Sequence, residues 1–382
     1  MNFEGKVMIE FCAGSDAHVR VDYHKPVEIV RILRGKAPHA VPGMLAMVHS
    51  VCGNAQAHAS VLALEAALDI SSDPVTARSR AVLTALETWR ETLLRIVLEW
   101  PDITGDEPDS TTARAGMMLL PRMKKALFGD GDPFAIDARA TPDMHAALQI
   151  VGEIEKLTVE RVLGEACEHY LARRGDEGLS DWAGSRSTQA AVFVRHLLAR
   201  GWMEQGHVEA AALDLPDHAN KMSRWLAIAL AGRLGSGRAV PETTPFSRRL
   251  NDPCVASLAS RGIGARFVAR LTELASLPLE MHRLLAGEGR PSAVSASIDG
   301  HGTAIVEAAR GLLAHVARLV DGEVADYWIV APTDWNFHRQ GIAARCLEAV
   351  GGHAERDALA HLVVRAIDPC VAYEMRGEMR AG

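Results

Sequence analysis

The apolar positions of the chain follow two periods. At the start, Phe3, Val7, Ile9 and Phe11, then Val19, Val21 and Tyr23, alternate with polar residues around Gly14-Ser15-Asp16, which predicts a β-hairpin. From about Pro42 the spacing turns helical: Met44, Met47, Val48 and Val51, then Val61, Leu62, Leu64, Ala66 and Leu68, run across the Cys52-Gly53 junction. Asp73-Pro74 pairs a cap residue with proline at the first helical position and opens a helix to about Trp100-Pro101. Residues 102 to 142 are rich in Asp, Gly, Pro and Thr and predict a long surface connection. Thr141-Pro142-Asp143 opens a helix through Leu148, Val151, Ile154, Leu157, Val162 and Leu163 towards Arg173-Arg174-Gly175. Others are predicted near Ser187, over Met222–Leu234 and over Ala265–Leu285. Ala293–Ile298 alternates like a strand, as does Val316–Val330 around Asp321-Gly322-Glu323, and these segments are expected to form one small sheet with the N-terminal hairpin. A last helix, Ala343–Ile367, delivers Asp368-Pro369-Cys370. The fold class is therefore α+β, mainly α. It is read as one domain over 1–382, with an N-terminal region 1–70, a helical region 71–240 and a C-terminal region 241–382.

Composition narrows the function. With 382 residues the chain can build a large core, and its 48% hydrophobic but only 5% aromatic content suits packed helices. It has no uncharged apolar run long enough to cross a membrane, and its first residues lack a signal-peptide core, so a cytoplasmic protein is expected. The net charge of -7 with interspersed signs argues against nucleic acid as a partner. Six scattered cysteines without a C-x-x-C pair argue against a zinc ribbon or a secreted disulfide scaffold. Gly232-x-x-Gly235-x-Gly237 follows a predicted helix rather than a strand, which disfavours a dinucleotide site. Cys370, near the end of the chain and far from other cysteines, needs a distant partner for chemistry, and Cys52 is the candidate.

Seven collinear segments then resemble the large subunit of nickel-iron hydrogenases, and more closely its shortened, non-catalytic relatives, the hydrogenase expression/formation proteins of the HupK/HoxV type. Phe3-Glu4-Gly5-Lys6-Val7-Met8-Ile9-Glu10 resembles R-I-E-G-H-L-x-I-E. Gly35-Lys36-Ala37-Pro38 resembles G-R-D-P, and Ser50-Val51-Cys52-Gly53-Asn54-Ala55 resembles R-x-C-G-x-C. Glu242-Thr243-Thr244-Pro245-Phe246-Ser247-Arg248 is similar to E-T-G-P-L-A-R, Glu307-Ala308-Ala309-Arg310-Gly311 to E-A-P-R-G, and Pro332-Thr333-Asp334-Trp335-Asn336 to P-T-T-W-N. Asp368-Pro369-Cys370 stands where D-P-C-x-x-C-x-x-H begins. The middle, about 75 to 235, matches poorly. The resemblance implies a trimmed hydrogenase-large-subunit fold.

The departures carry the functional expectation. In the enzymes, as the resemblance implies, four thiolates hold nickel and iron, and the second cysteine of each motif bridges the metals. Those two positions here are Ala55 and Tyr373, and the terminal histidine position is Arg376. Without bridging thiolates a nickel-iron centre is not expected, so no nickel and no hydrogenase activity are expected. The resemblance implies that Cys52 and Cys370 remain as soft ligands of a scaffold or carrier for one iron that already carries two cyanides and a carbonyl, held before transfer to the hydrogenase large subunit. They match cysteines bound terminally to nickel, whereas iron in the enzymes is held by the missing pair. By the resemblance Arg310 either donates to a cyanide or pairs with a carboxylate, Pro332 and Thr333 line the diatomic pocket, and Glu4, His58, Asn336 and Asp368 are further motif residues, largely architectural. The implied partners are hydrogenase maturation accessory proteins and the large-subunit precursor. The alternatives are a metal-free chaperone or interaction protein and, behind it, a redox enzyme with a different centre.

Overall fold

The two ends of the chain meet in one sheet. The computed structural model describes residues 5–11, 19–25, 28–49, 51–213, 215, 222, 240–258, 260 and 262–377. β1 (Lys6–Phe11) and β2 (Val19–His24) form the expected antiparallel hairpin with Val7 opposite Tyr23, burying Val7, Ile9, Val19 and Val21. Its turn, with Cys12, lies outside the described residues. β7 (Ala372–Arg376) runs parallel along the other edge of β1, with Val7 opposite Tyr373. The second sheet is an antiparallel meander of β3 (Ala293–Ile298), β4 (His301–Ala308), β5 (Gly311–Val320) and β6 (Glu323–Val330). The single sheet expected from the sequence is thus two. The free edge of the hairpin is taken by β7, while β3 to β6 pair with one another through short turns.

Between the sheets the chain is mainly helical, and among the described residues no helix is long and apolar enough to cross a membrane. Asp73 caps the Pro74–Leu94 helix, its Oδ1 accepting from the amides of Val75 and Thr76. That helix continues through a π-helical turn, Arg95–Glu99. The expected connection over 102 to 142 instead contains a helix, Ser110–Phe128, capped by Asp109. Leu119, Leu120, Met123 and Leu127 bury one face of it, which outweighs the interior Pro121. The expected helix across Cys52-Gly53 is two, Val41–Val48 and Gly53–Ala67. The expected Ala343–Ile367 helix is also two, Ile342–Val350 and Arg356–Ile367, parted at Gly351-Gly352. The helix expected over Met222–Leu234 lies outside the described residues, Met222 excepted. So does the glycine motif at 232–237.

The Gly53–Ala67 helix lies across β4, so closely that a Cβ on Gly302 would come 1.9 Å from the Ala63 carbonyl oxygen. The Ile263–Ala286 helix is buried on almost every side. Apolar residues cover most of it, but Arg266, Arg270 and Glu273 share a stripe at helical spacing, and each ties down a different loop of the site.

Candidate metal centre

Two helix ends bring Cys52 and Cys370 together. Cys52 is the cap residue of the Gly53–Ala67 helix and is 8% exposed. The start of that helix is held by Glu87, whose carboxylate accepts from the amides of Asn54 (2.9 Å) and Ala55 (2.9 Å) and from Asn54 Nδ2 (2.7 Å). These amides would otherwise favour a thiolate at the cap, so Glu87 takes that stabilisation for itself. At the other end, Asp368 closes the Arg356–Ile367 helix in the left-handed region at φ 64°. Pro369 has no amide hydrogen to continue the helix, and β7 docks on β1. The two sulfurs are hydrogen-bonded to each other.

Their surroundings divide the proton unequally. The hydrogen bond from Cys52 does most to bring the Cys370 thiol down, to about 7; burial opposes it, and Arg310 and the Thr333 hydroxyl assist. Cys52 moves up, through the same hydrogen bond and then burial. Of the two, Cys370 is therefore the readier to lose its proton. Gln56 Nε2 is 3.8 Å from the Cys52 sulfur, its Oε1 is 2.9 Å from His315 Nε2, and His315 Nδ1 is 2.8 Å from the Tyr327 hydroxyl. If Gln56 donates to sulfur, His315 donates through Nε2 and Nδ1 accepts from Tyr327, a neutral arrangement in keeping with the lowering of its pKa by burial.

Asp368 is the electrostatic hub. Its oxygens lie 3.0 Å from Arg270 Nη1, 3.2 Å from Arg310 Nε and 3.2 Å from Arg95 Nη2. Burial alone would raise this carboxyl, but Arg310, Arg270 and Arg95 overcome it and hold it at about 2. Arg310 occupies the tip of the two-residue turn between β4 and β5, where Gly311 takes φ 138° and its missing Cβ makes room for the Thr243 carbonyl. Besides Asp368 it reaches Glu91 at 3.4 Å, yet its buried Nη2 has no hydrogen-bond partner among the described residues. Three separate motif segments are laced beneath it. Asn336 accepts from the Thr243 amide (2.9 Å) and donates to the carbonyls of Thr243 (2.7 Å) and Arg310 (3.3 Å), while Thr243 Oγ1 accepts from the Leu312 amide (2.8 Å). Glu242 forms a bidentate pair with Arg266 at 3.0 and 2.7 Å.

Cys52, Cys370 and Arg310 line a cavity of about 280 Å³ whose apolar wall includes Val51, Leu313, Pro332 and Val371 and whose polar wall includes Tyr23, His49 and Gln56. Thr333 sits behind Cys370, its Oγ1 3.3 Å from the Cys370 amide. Among the described residues no three His, Cys, Asp or Glu side chains are grouped as a ready metal site, so the two sulfurs are the soft donors on offer. A larger cavity, about 340 Å³, is separate from the cysteines. His58 lines it, and it holds the Arg248–Glu273 and Arg249–Glu280 pairs.

Of the residues singled out in the sequence, Cys52, Cys370, Arg310, Pro332, Thr333, Asn336 and Asp368 converge here. Glu4 lies outside the described residues. His58 is turned away, its Nδ1 2.9 Å from Thr84 Oγ1, and burial lowers its pKa to about 3. Ala55 is buried, and Tyr373 directs its hydroxyl to His361 Nδ1 at 3.0 Å. Cys167, Cys254 and Cys346 are buried free thiols. Sequence reasoning did not select Tyr23, His49, Gln56, Glu91, Arg95 or His315. His49 adjoins the first cysteine motif and Gln56 directly follows it, which was the available signal; the others carry none.

A model of the nickel-dependent hydrogenase family matches residues 262–374. The hydrogenase expression/formation protein HupV of Azotobacter chroococcum is 29% identical, with 91% of each chain covered. The reduced nickel-iron-selenium hydrogenase of Desulfomicrobium baculatum superposes with a TM-score of 0.65 over 94% of this chain and 95% of that one, at 15% identity, which shows a shared fold. The hydrogenase expression/formation protein HoxV of Cupriavidus necator is 30% identical over 373 residues, 91% of this chain and 90% of that protein, and the chain belongs to this family of hydrogenase expression/formation proteins.

Proposed function

We propose that this chain is a non-catalytic accessory protein of nickel-iron hydrogenase maturation, and that Cys52 and Cys370 carry an iron dicyanide carbonyl group destined for the hydrogenase large-subunit precursor. The coarser part, a role in hydrogenase formation, is supported by the names of the relatives that match along nine-tenths of the chain. The observation that carries the finer part is the hydrogen-bonded Cys52–Cys370 pair lining a 280 Å³ cavity that Arg310, whose Nη2 has no partner among the described residues, also lines. A dicyanide carbonyl iron presents two good hydrogen-bond acceptors and one apolar ligand, and the cavity presents a guanidinium and an apolar wall. The cargo binds both sulfurs as thiolates, so loading releases whatever protons the thiols still hold. Ala55 and Tyr373 leave out the bridging thiolates a second metal would need, which suits a carrier and not a hydrogenase.

The test is an infrared spectrum of protein purified without oxygen from cells expressing the maturation machinery, beside a Cys52→Ser, Cys370→Ser double variant. Cyanide and carbonyl stretches in the native protein that vanish in the variant are expected. No bands in native protein that still supports hydrogenase activity would instead favour a metal-free chaperone.

A further inference from the structure

The cargo reading raises a question of donors. Two cyanide nitrogens need two partners in a buried cavity, since an acceptor left without one there loses stabilisation it has in water. Arg310 Nη2 supplies the first. The Thr333 hydroxyl is already engaged with Cys370, and the Gln56 amide with Cys52 and His315. His49 is different. It lines the same cavity, its Nε2 is buried, and that nitrogen has no hydrogen-bond partner among the described residues.

Several features hold His49 ready. It ends the Val41–Val48 helix, its amide donating to the Leu45 carbonyl at 3.1 Å, so its backbone is anchored. Lys25 stands nearby, fixed by the Ile329 carbonyl (2.6 Å) and Asp334 (2.8 Å). Burial, then Lys25, push the imidazole down to about 4, so at neutral pH it is uncharged and carries a single N–H. Among the described residues it is not grouped with the two cysteines as a third metal ligand.

Resting on the carrier reading above, we propose that His49 determines cargo specificity: its Nε2–H donates to the nitrogen of one cyanide, Arg310 Nη2 donates to the other, and the carbonyl lies against the apolar wall formed with Leu313 and Pro332. A site so built prefers the dicyanide carbonyl iron to an iron bearing fewer cyanides, because each unmatched donor stays buried without a partner.

Infrared spectra of loaded protein test this with His49→Leu and His49→Gln, each checked for native helical circular dichroism. In His49→Leu one cyanide stretch is expected to shift while the other cyanide and the carbonyl stay close to their native positions; in His49→Gln, which keeps an N–H donor, the shift is expected to be smaller. In deuterated buffer the His49-bonded cyanide band of native protein should move, and in His49→Leu it should not. Two cyanide bands unchanged in His49→Leu, with native bands present, overturn the His49 role and leave the carrier intact. Native protein without bands overturns both. If His49→Leu folds but loads nothing, the role stands only if His49→Gln regains two cyanide bands, and it falls if that variant is also empty.

Discussion

Asp368→Asn isolates the charge at the centre of the site while keeping the side chain's shape. In the native protein one buried carboxylate faces Arg95, Arg270 and Arg310 within 3.2 Å. A fall of its pKa from 3.8 to about 2 corresponds to on the order of 2 kcal/mol at roughly 1.4 kcal/mol per unit. Removing one partner of a buried ion pair typically costs about 3–5 kcal/mol, because the cations left behind stay desolvated. Arg310 retains Glu91, Arg95 retains Glu99, and Arg270 retains the Ala366 carbonyl, so a loss of about 3 kcal/mol is expected. With an unfolding entropy of about 2.1 cal/mol/K per residue, this lowers the melting temperature by roughly 4 °C. The sign with pH follows from a depressed carboxyl: its contribution is present above about pH 4 and is lost as pH falls towards 2, so the native-minus-variant difference should be flat near neutrality and close in that acid window. Urea unfolding across pH measures it. Asp368 also works against the Cys370 thiolate, so in the variant the pH midpoint of Cys370 alkylation should fall below about 7. A stability loss under about 1 kcal/mol at pH 7, with an unchanged alkylation profile, would refute the idea that Asp368 holds the three guanidinium groups.

Two further perturbations probe other parts of the site. In Cys52→Ala the largest influence lowering Cys370 is gone, so its alkylation midpoint should rise above about 7; mass spectrometry after timed iodoacetamide pulses would show this, and an unmoved midpoint would mean that Arg310 and Thr333 set the thiolate without Cys52. Asn336→Ala removes three hydrogen bonds joining the Thr243, Arg310 and Asn336 segments; a loss of about 2–4 kcal/mol in urea unfolding is expected, together with weaker cargo loading, and a loss under about 1 kcal/mol would show that the lacing is dispensable.

Local signals were legible where a few neighbouring residues decide the backbone. Asp73-Pro74 caps and starts a helix with its own oxygens, and Asp321-Gly322 turns β5 into β6 because both residues accept positive φ. The helix Ser110–Phe128 was missed because Pro121 and its polar flanks imitate a loop, although Asp109 and the Leu119, Leu120, Met123, Leu127 stripe were there to be read. β7 was beyond reach. Ala372–Arg376 buries no residue fully, and its strand character comes from β1, more than 360 residues away in the chain. Five of the seven matched segments converge: Arg310, Thr243 and Asn336 share one hydrogen-bonded cluster, Asp368 pairs with Arg310, and Cys52 meets Cys370 of the Asp368 segment.

The sequence by itself determined the fold class, the family resemblance and the two thiols with their companions Arg310 and Asp368, because cap residues, periodicity and collinear motifs are written in order along the chain. Tertiary structure decided that the chain ends share a sheet, that Cys370 rather than Cys52 holds the lower pKa, that Asp368 gathers three guanidinium groups, and that His49, with a buried nitrogen lacking a partner among the described residues, lines the cysteine cavity while His58 does not. Each of these depends on burial and on charges brought within a few ångströms by chain segments up to hundreds of residues apart. The strength of a charge or hydrogen bond follows distance and local dielectric, neither of which a one-dimensional pattern contains.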